Sequence, residues 1–211
     1  PQTVNAYYNP TNNEIVFPAA ILQPPFFYPD GDNAVNYGAI GAVIGHEITH
    51  GFDDQGRQYD AEGNLRDWWT KADGEQYDAR TKLITEQFNA YSPIDSFFIN
   101  GELTQGENIA DLGGLTISYY AFKKAAPTSK LDTMVINGLT ADQRFFISFA
   151  KVWAGSFRPD EQKRRLVMDP HSPGKYRVVG TLSNMPEFYQ AFGVVEGDKM
   201  FRNETVRGRV W

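Results

Sequence analysis

Val43-Ile44-Gly45-His46-Glu47-Ile48-Thr49-His50-Gly51-Phe52-Asp53-Asp54 (residues 43–54) decides how the rest of the chain is read. On a helix, residues four apart lie one above the other on the same face. His46 and His50 can therefore bind one metal ion side by side. Glu47 falls on the flank of that face, where a carboxylate can take a proton from a water held by the metal. This His-Glu-x-x-His spacing points to zinc-assisted hydrolysis. The chain holds only three histidines, and two of them are here.

Working outward, Asn36 to about Phe52 reads as one helix, apolar nearly all round and hence buried. Gly38, Gly41 and Gly45 recur along it. Each costs about 1 kcal/mol of helix propensity relative to Ala, so their expected role is close packing against a neighbour. Upstream, residues 4–8, 9–13 and 14–17 read as strand, turn, strand. Pro18, Pro24, Pro25 and Pro29 then force an extended path. Downstream, residues 53–69 are polar and glycine-rich, a loop. Within it, Asp60-Ala61-Glu62-Gly63-Asn64 faintly resembles a calcium loop but lacks the full ligand spacing, so a simple turn is expected. Helices follow from Thr70, with Asp73 in the capping-box position, to about Tyr91, and from Thr104 to about Ala126, before Pro127. Others run from Thr140, with Gln143 completing a box, to near Gly155, from Pro159, and from Asn184 to Phe192, where Gly193 stops the chain. The expected fold class is α+β, mainly α, with a small N-terminal β-sheet.

A chain of 211 residues with 41% hydrophobic content can bury a real core, as one domain or as a lobe of something larger. The net charge of −6 leaves no basic stripe to meet phosphates, which excludes nucleic acid as a partner. No segment is apolar and long enough to span a membrane. Cysteine is absent, so a metal must be held by nitrogen and oxygen. Pro1 opens no signal-peptide pattern; the chain starts on a strand-like stretch, as if cut from a longer precursor.

A catalytic zinc needs three protein ligands and one open position. The pattern that places a third histidine six residues after the second is excluded, because Gly56 stands there. His171 or a carboxylate on another helix remains. Glu107 and Asp111 lie four apart on an otherwise apolar helix, which would set a ligand beside a supporting carboxylate. Thr104-Gln105-Gly106-Glu107 is also a capping box, in which Glu107 would bond the backbone at Thr104. The motif at 46–50 favours the ligand reading, since the site otherwise lacks a third donor.

VNAYY (4–8), IVFPAAILQPPFF (15–27), VIGHEITHGFDD (43–54), GENIADLGGL (106–115), HSPGKYRVVGTLSN (171–184) and the terminal RVW (209–211) together resemble the C-terminal catalytic region of the neprilysin and endothelin-converting-enzyme family. These are zinc endopeptidases with a thermolysin-like catalytic lobe, and the resemblance runs in order through essentially the whole chain. It implies one Zn2+ per chain, held by His46, His50 and Glu107, with Glu47 activating the water. Asp53 and Asp111 would orient the ligand imidazoles, Asp111 thereby counting among the catalytic residues. Asn5 and Ala6 would pair with the substrate main chain, the strand 4–8 serving as an edge that a peptide extends. His171 would stabilise the oxyanion and Arg177 would hold substrate oxygens. Phe26, Val43 and Trp153 would form the pocket for the large apolar residue after the cleaved bond.

Two departures stand out. Animal members carry cysteines, including one just before the terminal Arg-Val-Trp, where this chain has Gly208. The resemblance therefore implies a bacterial member, placed in the cell envelope or secreted, with the cytoplasm as the alternative. Family members also have an upstream helical lobe that closes over the site. The 211 residues read as the catalytic lobe alone, that upstream lobe belonging to the same precursor or to a separate chain. Besides an active endopeptidase of oligopeptides, the sequence thus admits a zinc-bound but inactive lobe, acting as a binding module until paired with the missing one. A purely structural zinc site would have no use for Glu47. Asn203-Glu204-Thr205 matches a glycosylation sequon, which means little in a bacterial protein.

Overall fold

The computed structural model describes residues 1–126 and 130–210. Pro127, the expected helix stop, and Trp211, the end of the terminal motif, lie outside them. Two short strands, β1 (Tyr7–Asn9) and β2 (Glu14–Val16), pair antiparallel with Tyr7 opposite Val16. The rest of the regular structure is helical. Residues 4–6 precede the ladder rather than joining it, so the strand expected at 4–8 is paired only from Tyr7.

The motif helix begins earlier than expected. Asp32 caps α1 (Asn33–Asn36) by accepting from the Val35 amide. The coil passes through a π-helical stretch (Tyr37–Gly41) into α2 (Ala42–Thr49) and ends in a 3₁₀ turn (His50–Phe52). It is not buried all round. Ile44 and Ile48, one turn apart, are 39% and 40% exposed. Their face points away from α4 (Gln105–Ala125), the helix that carries Glu107 and Asp111.

The glycines do what their spacing suggested. A Cβ on Gly45 would lie 2.4 Å from the Gly114 carbonyl oxygen, and one on Gly38 would lie 2.1 Å from the Phe145 carbonyl oxygen. α2 and α4 therefore cross main chain to main chain. α4 also packs against α3 (Lys71–Asn89) and α7 (Gly174–Leu182), so it is the central element. The main core lies between α3, α4, α5 (Ala141–Val152), α7 and α8 (Pro186–Phe192), filled by Phe88, Phe122, Phe145, Phe146 and Phe149. A smaller cluster, Ala6, Ile21, Ile40 and Val43 with Phe26 against it, joins the N-terminal segment to the motif helix.

Side-chain caps open α1, α3 and α5. Thr140 and Gln143 form the expected box on α5. Thr70 accepts from the Asp73 amide, but its hydroxyl donates to the Asp73 carboxylate at 2.6 Å, so that box is not reciprocal. Pro159 opens α6 (Pro159–Met168), and Gly193 ends α8 with φ of 70°. The helix α7 was not foreseen: Gly174, Gly180 and the β-branched Val178, Val179 and Thr181 hide it from propensity, and packing on α4 and α3 makes it. The calcium-like loop is a turn, with Asp60 accepting from the amides of Glu62 and Asn64. No helix among the described residues is long and apolar enough to cross a membrane.

Candidate active site

The glycine crossing brings the face of α2 that carries His46 against the first turns of α4. His46 Nδ1 lies 2.9 Å from Asp111 Oδ1, and His50 Nδ1 lies 2.6 Å from Asp53 Oδ2. A carboxylate only accepts, so each Nδ1 is assigned the ring proton and each Nε2 is left with a lone pair. The two Nε2 atoms stand 3.0 Å apart. Glu107 Oε2 is 3.2 Å from His46 Nε2, and Oε1 is 3.7 Å from His50 Nε2.

The capping box at the start of α4 does not form. The Thr104 side chain makes no cap bond and donates instead to the Asn100 carbonyl at 3.0 Å. Glu107 is thus free of the backbone, and its Oε2 is buried without a hydrogen-bond partner. Three acceptor atoms converge with no donor among them, an arrangement that a cation satisfies. A tetrahedral ion with bonds of about 2.0–2.1 Å spaces its ligand atoms about 3.3–3.4 Å apart. The separations of 3.0, 3.2 and 3.7 Å bracket that value. His46, His50 and Glu107 are the one group of this kind among the described residues.

Electrostatics follow from this packing. Burial would lower the His46 pKa, but the carboxylates of Asp111 and Glu107 lift it to about 9, so without a cation a proton takes its place. Burial would raise Glu107, yet His46, His171 and Arg177 hold its carboxyl at about 2. Asp111 is likewise held well below the usual carboxylate range, against burial, by Arg177 and His46. Glu47 is pushed up, chiefly by burial; a carboxyl moved toward neutrality suits a proton acceptor that must later release its proton.

α7 supplies Arg177. Its Nε and Nη2 each donate to Asp111 at 2.7 Å, and its guanidinium lies 3.7 Å over the Trp153 ring. This is a buried bidentate pair rather than a surface bridge. Nη1 has no acceptor among the described residues. Just before α7, His171 sets Nε2 3.2 Å from Glu107 Oε2 and Nδ1 2.9 Å from Asp169 Oδ1. Asp169 also accepts from the His171 amide and from Arg165. Sequence reasoning missed Asp169; an aspartate two residues before a histidine is an Asx-turn signal that could have found it.

A cleft of about 470 Å³ joins these parts. It is lined by Asn5, Ala6, Phe26, Val43, His46, Glu47, His50, Asp53, Glu107, Trp153, His171 and Arg177. Asp111 alone of the nominated residues stands behind it. Asn5 is exposed at its mouth, while Ala6 is buried against the smaller core. Tyr8 also lines the cleft and was not nominated; its ring lies over Gly51 and its hydroxyl donates to Asn13.

The model of peptidase family M13 matches residues 5–207. This chain belongs to peptidase family M13. It is 47% identical to endothelin-converting enzyme 1 of Rattus norvegicus, over all of this chain and 27% of that protein. It is 46% identical to neprilysin-3 of Drosophila melanogaster with the same coverage. Among solved structures it is similar to the zinc metalloprotease ZMP1 of Mycobacterium tuberculosis in complex with inhibitor, with a TM-score of 0.95 and 52% identity over 99% of this chain and 32% of that one. PepO of Lactobacillus rhamnosis gives a TM-score of 0.88 at 38% identity, covering 100% of this chain and 31% of that one. The chain thus spans about a quarter to a third of the relatives it matches.

Proposed function

We propose that this member of family M13 carries the catalytic site of a zinc-dependent endopeptidase that cuts oligopeptides on the amino side of large apolar residues. The observation that carries the reading is the meeting of three acceptors, His46 Nε2, His50 Nε2 and Glu107, beside the buried Glu47 in an open cleft. When bound there, zinc supplies Lewis acidity that polarises the scissile carbonyl and acidifies water. Asp111 and Asp53 hold the two imidazoles in the tautomer that leaves Nε2 free for the metal. Glu47 accepts the proton of the attacking water on its carboxylate and returns it to the leaving amine nitrogen. His171, gripped by Asp169 at Nδ1, donates from Nε2 to the oxyanion in its protonated form; loss of one such donor costs about 10²–10³ in rate.

The remaining residues place the peptide. Asn5 and the main chain at Ala6 meet the substrate backbone along the free edge leading into β1. Arg177 is anchored by Asp111, with Nη1 left to meet a substrate oxygen. Phe26 and Val43, continuous with the smaller apolar cluster, and the Trp153 ring favour a large apolar side chain after the cut.

Cleavage of a quenched fluorescent peptide with Phe or Leu after the scissile bond tests this. Turnover abolished by a chelator, restored by zinc and absent from zinc-loaded Glu47→Gln is expected. The exposed Ile44–Ile48 face motivates a second reading, a zinc-bound lobe inactive until it is covered. One zinc per chain without turnover would select it, and wild-type turnover by Glu47→Gln would remove the general base from the scheme.

A further inference from the structure

Glu107 and His171 come from different elements, and their tips meet at 3.2 Å. Each is followed in sequence by a buried polar residue, and those two residues bond each other. Ser172 Oγ donates to Asn108 Oδ1 at 2.8 Å, and Asn108 Nδ2 donates to Thr104 Oγ1 at 2.9 Å. The Thr104 hydroxyl donates to the Asn100 carbonyl at 3.0 Å. Ser172, Asn108 and Thr104 are 3%, 1% and 3% exposed. Each hydroxyl along this relay has a partner, and all of its bonds run in one sense, away from the loop of His171. Such a buried, satisfied network permits one arrangement of its parts.

We propose that Ser172 and Asn108 form a clamp that sets His171 at its working distance from Glu107. The clamp acts through main chain. Ser172 pins the loop between Pro170 and the start of α7 to the first turn of α4, and the imidazole one residue earlier inherits that position. Asp169 fixes the rotation of the ring, since it holds both Nδ1 and the amide of His171. It does not fix the loop to α4, because its other partner, Arg165, sits on α6. The Ser172–Asn108 bond ties the loop of the proposed oxyanion donor to the first turns of the helix that carries the third proposed ligand, beside the His171–Glu107 contact it positions and ahead of the Arg177–Asp111 pair farther along α7. The relay also explains the missing capping box: the Thr104 hydroxyl that would cap α4 is committed to Asn108 and Asn100, which leaves Glu107 to the site. Both are positioning residues; neither lines the cleft. The proposal rests on the peptidase reading for its catalytic consequence.

The test is a double-mutant cycle in the zinc-loaded protein. Ser172→Ala should lower kcat about tenfold or more, as small misplacements of catalytic groups do, with KM and zinc stoichiometry unchanged. In a His171→Ala background the same change should cost less than about twofold, because its effect passes through His171. An unchanged kcat, or an equal loss in both backgrounds, overturns the clamp. Ser172→Ala leaves Asn108 Oδ1 without its donor and could lower stability. Ser172→Ala combined with Asn108→Leu removes both partners and should recover stability; kcat must stay low in it, and recovery of kcat would refute positioning. A readout without turnover separates the two readings. With three histidines in the chain, an NMR spectrum selective for the imidazole Cε1–H has three signals, and Ser172→Ala should broaden or split that of His171 alone. If the wild type cleaves nothing, the peptidase reading falls, while an unaltered His171 signal in Ser172→Ala would still overturn the clamp.

Discussion

Gly45→Ala perturbs the site without touching a side chain in it. The new Cβ would lie 2.4 Å from the Gly114 oxygen, where ordinary contact begins at 3.4 Å, and both atoms belong to helices that cannot yield locally. α2 and α4 must separate by about 1 Å. Overpacking of this kind costs about 1–3 kcal/mol. The functional cost is larger in relative terms, since ligand distances tolerate about ±0.2 Å, and the displaced helices carry His46 and Glu107. Zinc affinity should fall at least as far as when a supporting contact is lost, about 10- to 100-fold. Gly74→Ala is the matched control: it lies in α3 with nothing within 4 Å of a new Cβ, and should add about 0.5–1 kcal/mol. Competition with a chromophoric chelator reads affinity, and urea denaturation reads stability. Wild-type zinc affinity in Gly45→Ala, with a stability matching Gly74→Ala, would refute the claim that this crossing sets the site.

Glu107→Ala should keep the fold and lose zinc; stoichiometric metal at nanomolar free zinc would reject its role as ligand. Zinc uptake at pH 7 should release a proton, because the metal-free His46 titrates at about 9 and a ligand imidazole must be neutral. Affinity should therefore rise with pH up to about 9 and level off above it; calorimetry in buffers of different ionisation heat would expose a wrong assignment by finding no release. Arg144→Met should cost about 3–5 kcal/mol. It strands Asp32 at 2.7 Å and removes donors to the carbonyls of Leu131, Met134 and Leu139. Its zinc affinity should not change, and a loss under about 1 kcal/mol in urea would count against a structural role.

The convergence of His46 and His50 was readable because the helical repeat stacks residues four apart on one face, and Gly38 and Gly45 were readable because only close approach justifies their cost. Glu107 stayed ambiguous in sequence because Thr104 could either cap α4 or turn inward. The choice depends on Asn108 and Ser172, 64 residues apart, a distance no local pattern spans. α7 was hidden for the same reason, since its propensity is poor and its neighbours are remote. The burial assigned to the motif helix failed at Ile44 and Ile48, because apolar content says how much of a face could be covered and not whether something covers it.

His46 and Asp111 are bonded across 65 positions of sequence, and the proposed ligands straddle the same gap. A metal there is a reversible tie between distant parts of the chain, available only to the folded form. At free zinc 1,000-fold above its dissociation constant such a tie contributes about 4 kcal/mol, a large share of the roughly 5–15 kcal/mol that keeps a domain folded. Metal supply would then govern the amount of this protein as well as its chemistry, since a zinc-starved cell would lose molecules to degradation before those that remain ran short of turnover.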